Sequence, residues 1–316
     1  MSVRVAAPAK VNLSLRVLGR REDGFHEIRT LFQALDLGDE LRVSRGGRGV
    51  SLEVRGPDLG PTEKNLAYRA AELFFEAFGE TQGVHIELTK WIPAGAGMGG
   101  GSSDAAAVLR ALSWLSPFPP PPGELMRLGA KLGSDVPFFL GASPLAQGTG
   151  RGEILTPYRA LPAADVVLAL PGVHMSTPEA YEALGRGAWV PADHAVPVGR
   201  EGAPSDWEGV LAGLVNDFQP VVMEAHPEVE RSLRALAEAG ASGALLSGSG
   251  AASFGFFPDR ATTERVADEL TLELGWPFVA ARTLTQWPGP KRDVSADPRD
   301  AASRVPRESD RRSDGT

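Results

Sequence analysis

Val11, Leu13, Leu15 and Val17 alternate with Lys10, Asn12, Ser14 and Arg16, the period of two that puts apolar side chains on one face of a strand and polar ones on the other. Residues 84–92 repeat the pattern with Val84, Ile86 and Leu88. Between them, NLAYRAAELFFEAFG at 65–79 has helical spacing and ends on a glycine; Val108, Leu109, Leu112 and Leu115 then keep one helical face over 102–115. The run PFPPPPGE breaks the chain, and a new pattern begins around 157–165. It reads as a strand at 166–170, a helix at 178–185, a Gly/Pro/Ser-rich excursion at 197–206, and helices near 207–225 and 227–239. A strand pair at 243–257, a helix at 260–274 and a strand at 277–284 complete the series. Strands and helices mix without a regular strand–helix alternation, which predicts α+β in both halves and not a doubly wound sheet.

From Pro288 the sequence PGPKRDVSADPRDAASRVPRESDRRSDGT holds almost no large apolar residue and mixes seven positive with six negative charges, so it is expected to be a disordered tail. The predicted division is 1–158, 159–287 and a tail at 288–316, with no internal repeat in the folded part. With 316 residues, 42% hydrophobic and 23% charged, the chain has the composition of an ordinary globular protein of about two domains. There is no long apolar run, and residues 1–20 read as strand and not as a leader, so a cytoplasmic protein without membrane contact is expected. The lack of cysteine excludes disulfides, thiolate metal sites and a thiol nucleophile. A net charge of -8 gives no long-range attraction for a nucleic-acid backbone.

Four segments carry candidate chemistry. PAGAGMGGGSSDAAAVLRAL at 93–112 has five glycines in seven residues, directly before two serines and an alanine-rich helix. Glycines admit an anion close to backbone N–H groups, and a helix start adds unpaired donors and the positive dipole end, so the segment reads as a phosphate cradle. It has no lysine of the GxxxxGK[ST] kind and no dinucleotide-binding spacing; a glycine linker capped by Ser102 or Ser103 is the plain alternative. Lys10 and Asn12 share the polar face of their strand, where they could grip a substrate or simply meet water. In GSDVPFFL at 133–140, Asp135 is either the cap of a short helix or, backed by Pro137, Phe138 and Phe139, a partly desolvated general base kept ionised by Lys10. LLSGSGAASFGFF at 245–257 places Gly248, Ser249 and Gly250 in a turn between two strand-like runs, a hairpin or a second phosphate contact.

PAKVNLSL at 8–15, PAGAGMGGGSSDAAA at 93–107 and LSGSGAASF at 246–254 resemble, in order and spacing, the three motifs of the GHMP kinase superfamily. RREDGFHEIRTLFQALDLGDEL, GSDVPFF and NDFQP resemble the branch that phosphorylates a cytidine diphosphate methylerythritol in non-mevalonate isoprenoid synthesis. The resemblance spans residue 3 to about 284. It implies a two-domain fold, ribosomal-protein-like in the N-terminal domain and ferredoxin-like in the C-terminal one, with ATP as phosphoryl donor and magnesium arriving on it. It also implies that Asp135 takes the proton of the acceptor hydroxyl with help from Lys10. Asn65, Lys90 and Pro93 would lie on the nucleotide side with Gly95, Gly97, Gly99, Gly100, Gly101, Ser102 and Ser103. Asn65 reads equally as a helix cap, and Lys90 as an exposed strand-end charge. Asn12, Phe25, His26, Thr177 and Tyr181 would hold the acceptor, its cytosine between the two aromatic rings. Tyrosine and phenylalanine are exchanged at Phe25 and Tyr181 relative to the family pattern. His26 alone reads as readily as a surface histidine. No acidic cluster reads as a dedicated metal site. Kinases of the superfamily acting on homoserine, mevalonate or a sugar, or a non-catalytic nucleotide sensor, are the alternatives.

Overall fold

The computed structural model describes residues 1–185 and 203–293. In chain order the elements are β1 (Ser2–Arg20), β2 (His26–Arg45), β3 (Val50–Arg55), α1 (Leu66–Phe78), β4 (Val84–Thr89), α2 (Gly100–Leu115), α3 (Pro122–Leu132) and α4 (Val136–Leu140). β5 (Leu145–Thr149), β6 (Ile154–Pro157), β7 (Asp165–Ala169), α5 (Thr177–Leu184), α6 (Trp207–Ala212), β8 (Val215–Asn216) and α7 (Gln219–Ala225) follow. The chain then forms α8 (Pro227–Glu238), β9 (Ala244–Leu246), β10 (Ser253–Phe257), α9 (Arg260–Leu274), β11 (Phe278–Arg282) and β12 (Lys291–Arg292).

β1 and β2 are a long antiparallel pair and the spine of an eight-stranded sheet ordered β12-β1-β2-β4-β3. The later part of β2 pairs with β4 and the earlier part with β5, so the sheet forks along that strand. Register shifts fall between Pro8 and Lys10 and between Asn12 and Ser14. Such bulges re-aim side chains, and these two bracket the candidate site residues of β1. α1 to α4 cover one face, with Ala106, Leu109, Phe74 and Phe138 in the shared core. The second sheet is antiparallel, ordered β11-β7-β10-β9, and every residue of its central strand β7 is buried. A second core joins the sheets through Val11, Leu13, Leu168 and Phe254, while α8 and α9 close the outer face over Leu236 and Val266.

The fold is thus α+β. α1 and α9 agree with the helices read from periodicity, α1 being stopped by Gly79 in the left-handed region. Two expectations are corrected. Residues 207–225 are not one helix: α6 and α7 are separated by β8, which leaves the second half of the chain to pair in parallel with β1. The tail expected at 288–316 does not begin at 288, because β12 pairs with β1 and Asp293 is buried, accepting from Arg4 Nε at 3.3 Å and from Arg42 Nε. Apolar content under-reported this segment because its anchor is an ion pair and a ladder, not a core side chain. The rest of the expected tail, and most of the 197–206 excursion, lie outside the described residues. Among the described residues no helix is long and apolar enough to cross a membrane.

Candidate active site

Gly95, Gly97 and Gly99 take φ of 69°, 77° and 71°, left-handed values that glycine alone adopts without strain. The alternation turns Ala96 and Met98 into the core between the sheets and leaves glycine backbone facing outward. The turn before β10 presses against this loop: a Cβ on Gly97 would lie 2.1 Å from the Ser247 carbonyl oxygen. Ser247 Oγ donates to the Gly97 carbonyl at 3.0 Å. Gly99 is the N-cap of α2, so the helix starts at Gly100 and no side chain caps it. The cap alternative for Ser102 and Ser103 therefore fails; both sit in the first turn. The first N–H groups of a helix have no partner within it. Gly100, Gly101 and Ser102, with Pro93, line a cavity of about 360 Å³, where those donors and the dipole can receive an anion.

Lys10 and Asn12 are 4% and 1% exposed, so they are not the solvated strand face that alternation alone allowed. Lys10 Nζ donates to Asn12 Oδ1 at 2.6 Å, Asn12 Nδ2 to Thr30 Oγ1 at 2.7 Å, and Thr30 Oγ1 to the Ser14 carbonyl at 2.7 Å. Lys10 Nζ also lies 3.6 Å from Asp135 Oδ2. Asp135 holds the N-cap position of α4, but its side chain makes no cap hydrogen bond, which leaves the carboxylate, 31% exposed, aimed at the lysine. Burial lowers the Lys10 ammonium below its ordinary pKa, and Asp135 opposes that shift. A partly exposed carboxylate beside a buried ammonium, both lining one cavity, can accept a proton from a hydroxyl that the ammonium polarises.

That pair lies in a larger cavity of about 810 Å³, which shares Gly97 and Gly99 with the smaller one. Its far end is aromatic. His26 and Tyr181 stack with centroids 4.1 Å apart and planes 11° apart, and Tyr181 meets Phe218 edge-on at 4.8 Å. Phe25 is 52% exposed, with the Arg151 guanidinium on its face at 4.6 Å. The two rings expected to face one another thus have other partners: one face of Tyr181 is covered by His26, and its edge packs the α5–α7 contact. His26 is no plain surface histidine, and burial followed by the Arg20 charge lowers its pKa, favouring the neutral ring. Burial, then the Asp135 charge, pushes the Tyr181 phenol up to about 12.

Thr177 opens α5 with its Oγ1 3.0 Å from Ser249 Oγ, and Gly248 lines the larger cavity with Ser249. Gly250 stands apart from the cavity lining, packed so closely that a Cβ there would lie 2.7 Å from the Gly95 carbonyl. Asn65 is both helix cap and cavity wall: its side chain accepts from Ala67 N–H at 2.9 Å, and it lines the smaller cavity. Lys90 is not an exposed strand-end charge. It is buried between Asp39 and Asp104, 2.7 Å from the Asp104 carboxylate. Burial would lower its pKa, but the two carboxylates outweigh burial and hold it raised. Asp39 also accepts from Trp91 N–H at 2.5 Å and Ile92 N–H at 2.8 Å, fixing the chain that enters the glycine loop.

Asn216 was not singled out by the sequence. Its Nδ2 donates to the Leu246 and Gly248 carbonyls at 2.8 Å each, and its Oδ1 accepts from Phe218 N–H at 2.9 Å. It therefore ties β8 to the turn that touches the glycine loop. The NDFQP string that contains it was the only available signal.

Residues 65–142 match the GHMP kinases N terminal domain, and residues 200–274 the GHMP kinases C terminal domain. Proteins named 4-diphosphocytidyl-2-C-methyl-D-erythritol kinase are similar along most of the chain. The one from Solibacter usitatus is 44% identical over 80% of this chain and 81% of its own. That from Deinococcus radiodurans is 41% identical over 87% and 91%. The chain belongs to this family of GHMP kinases. A crystal structure of 4-(cytidine 5'-diphospho)-2C-methyl-D-erythritol kinase aligns with TM-score 0.72 and 38% identity, covering 89% of this chain and 98% of that one. Homoserine kinase from Cytophaga hutchinsonii, at TM-score 0.60 and 19% identity over 92% and 96%, shares the fold. As a GHMP kinase the chain is an ATP-dependent phosphotransferase, and the pairing of a glycine-loop cavity with a Lys–Asp cavity is the geometry such a transfer needs.

Proposed function

We propose that this kinase transfers the γ-phosphoryl group of ATP to the 2-hydroxyl of 4-diphosphocytidyl-2-C-methyl-D-erythritol, an isoprenoid precursor. The observation that carries the reading is adjacency. The larger cavity is lined by Lys10 and Asp135 and shares Gly97 and Gly99 with the smaller one, so an alcohol and a triphosphate end can meet at the loop. Asp135 is the general base, and Lys10 orients it and polarises the hydroxyl, a contribution worth roughly 10²- to 10⁴-fold. Asn12, locked by Thr30, fixes Lys10. Gly95, Gly97, Gly99, Gly100, Gly101, Ser102 and Ser103 surround the ATP phosphates, with Asn65, Lys90 and Pro93 toward the base.

Magnesium enters with the nucleotide. Among the described residues no cluster of three or more His, Cys, Asp or Glu could hold a metal. Ser103 Oγ and Asp104 Oδ1, buried oxygens at the start of α2 without hydrogen-bond partners, do not fit a metal: Asp104 is paired with the Lys90 ammonium and Ser103 lines neither cavity. Phe25, His26, Thr177 and Tyr181 form the cytidine end. An aromatic wall of this kind suits an acceptor with a base and leaves homoserine or mevalonate nothing to stack. The test is ADP release with Mg-ATP and, separately, the cytidine-linked alcohol, mevalonate, homoserine and galactose. Turnover with the first alone is expected, and equal or better turnover with another acceptor overturns the assignment.

A further inference from the structure

A third cavity, of about 530 Å³, shares no lining residue with the two at the glycine loop. It lies at the opposite end of α2, between the last turns of that helix, α3 and the segment that follows β11. Its volume falls within the roughly 300–1,000 Å³ of small-molecule sites, and like them it is mostly apolar with few polar groups.

Among the described residues, Arg110 is the one charged group in its lining. The guanidinium stacks on the Trp287 ring at 5.0 Å. Such a contact occupies the flat face and leaves the N–H donors at the edge of the plane. Those donors meet no carboxylate: Arg110 makes no ion pair or hydrogen bond with any described residue. Burial therefore acts on it unopposed and pushes its pKa down to about 10. Ser113, one turn on and on the same face of α2, also lines the cavity, and its hydroxyl has no partner among the described residues. Ser116 Oγ, by contrast, is spent on the Phe118 carbonyl at 3.1 Å, and Trp287 Nε1 is buried. Arg110 and Ser113 are the donors this cavity has to offer.

The apolar walls are built in advance. Trp287 also packs on Phe138 and Phe139, with ring centroids 5.4 Å and 6.2 Å away. Pro288 and Pro290 stiffen the chain that follows, and β12 pairs with β1 directly after them. Trp114 lines the cavity while 42% exposed, and Leu125 of α3 adds a buried aliphatic side chain.

Two free donors set among aromatic, aliphatic and proline surfaces suit an acid group on an apolar body. We propose that this cavity binds a small organic anion, a carboxylate or a phosphate ester, with its acid group on Arg110 and Ser113 and its apolar chain against Trp114 and Leu125.

Calorimetric titration of the full chain with hexyl phosphate, hexanoate, hexan-1-ol and inorganic phosphate, with ADP filling the nucleotide cavity, tests both halves. Hexyl phosphate or hexanoate should bind at least about tenfold more tightly than hexanol or inorganic phosphate, the size of one charge-assisted contact. The tighter of the two acids identifies the acid group. In Arg110→Gln the preference for acid over alcohol should vanish, and in Arg110→Lys, which keeps the charge, part of it should remain. Trp114→Ala should instead remove the advantage of hexyl phosphate over inorganic phosphate. Equal binding of acid and alcohol, or acid binding that survives Arg110→Gln unchanged, overturns the proposal. So does binding that emerges only after deletion of residues 294–316, which assigns the cavity to the chain's own tail. A change of oligomeric state in Arg110→Gln and Trp114→Ala assigns it to a second copy and overturns the proposal equally.

Discussion

Replacing Gly97 by alanine tests whether the glycine loop and the turn before β10 are pinned together as described. The residue has φ 77°, where a Cβ costs about 1–2 kcal/mol against the adjacent carbonyl. The added carbon would also lie 2.1 Å from the Ser247 carbonyl oxygen and 2.8 Å from that of Gly250, so two stretches of main chain must part by most of an ångström. Forced overpacking of this sort costs about 1–3 kcal/mol. Together the two effects predict a loss of about 2–5 kcal/mol, a fall in melting temperature of about 3–9 °C for a chain of this size. Gly101→Ala is the internal control, because its Cβ would meet only Leu66 Cδ1 at 3.6 Å in a helical stretch. It should leave stability unchanged or raise it by up to about 1 kcal/mol. Thermal unfolding of both variants by calorimetry is the assay. A Gly97→Ala protein that melts within a degree of wild type refutes the close approach.

Two further outcomes follow from the same geometry. His26 has its pKa lowered from 6.5, so the neutral form of the ring that lines the cavity predominates at and above that pH. Cytidine affinity should be flat from pH 8 to about 6.5 and decline only as the pH falls further through the depressed pKa; a loss that begins above pH 7 would contradict the cause assigned to the shift. Asn216→Ala removes the donor to the Leu246 and Gly248 carbonyls and should cost about 1–3 kcal/mol of stability and raise the KM for ATP, because the turn it holds touches the glycine loop. Unchanged stability and KM would show the tie to be idle.

Much of the site was legible because its pieces are local. A period of two placed Lys10 and Asn12 together on β1, five glycines before an alanine-rich run marked the start of α2, and Asp135 stood alone before an apolar stretch. What the sequence could not carry is partnership across distance. Thr30 is 18 residues from the Asn12 it locks, and Asn216 is 32 from the Gly248 carbonyl it holds. Lys90 looked exposed because it ends a strand, yet Asp39 and Asp104 approach it from 51 and 14 residues away. β2 escaped notice for a different reason. Its core positions fall in step at Ile28, Thr30, Phe32 and Ala34, then change face at Leu35, because the strand serves β5 with one part and β4 with the other. Alternation that switches phase inside one strand reads as no pattern. The stacking of His26 on Tyr181 likewise depends on how α5 lies against β2, which no spacing specifies.

The central claim is that Asp135, 3.6 Å from Lys10 Nζ, takes the proton of the attacking hydroxyl. Single-turnover transfer from ATP to the cytidine-linked alcohol in Asp135→Asn measures it most directly, since asparagine keeps the shape and removes the acceptor. The account predicts a rate at least about 10²-fold below wild type with ATP affinity and melting temperature unchanged. A rate near that of wild type would contradict it.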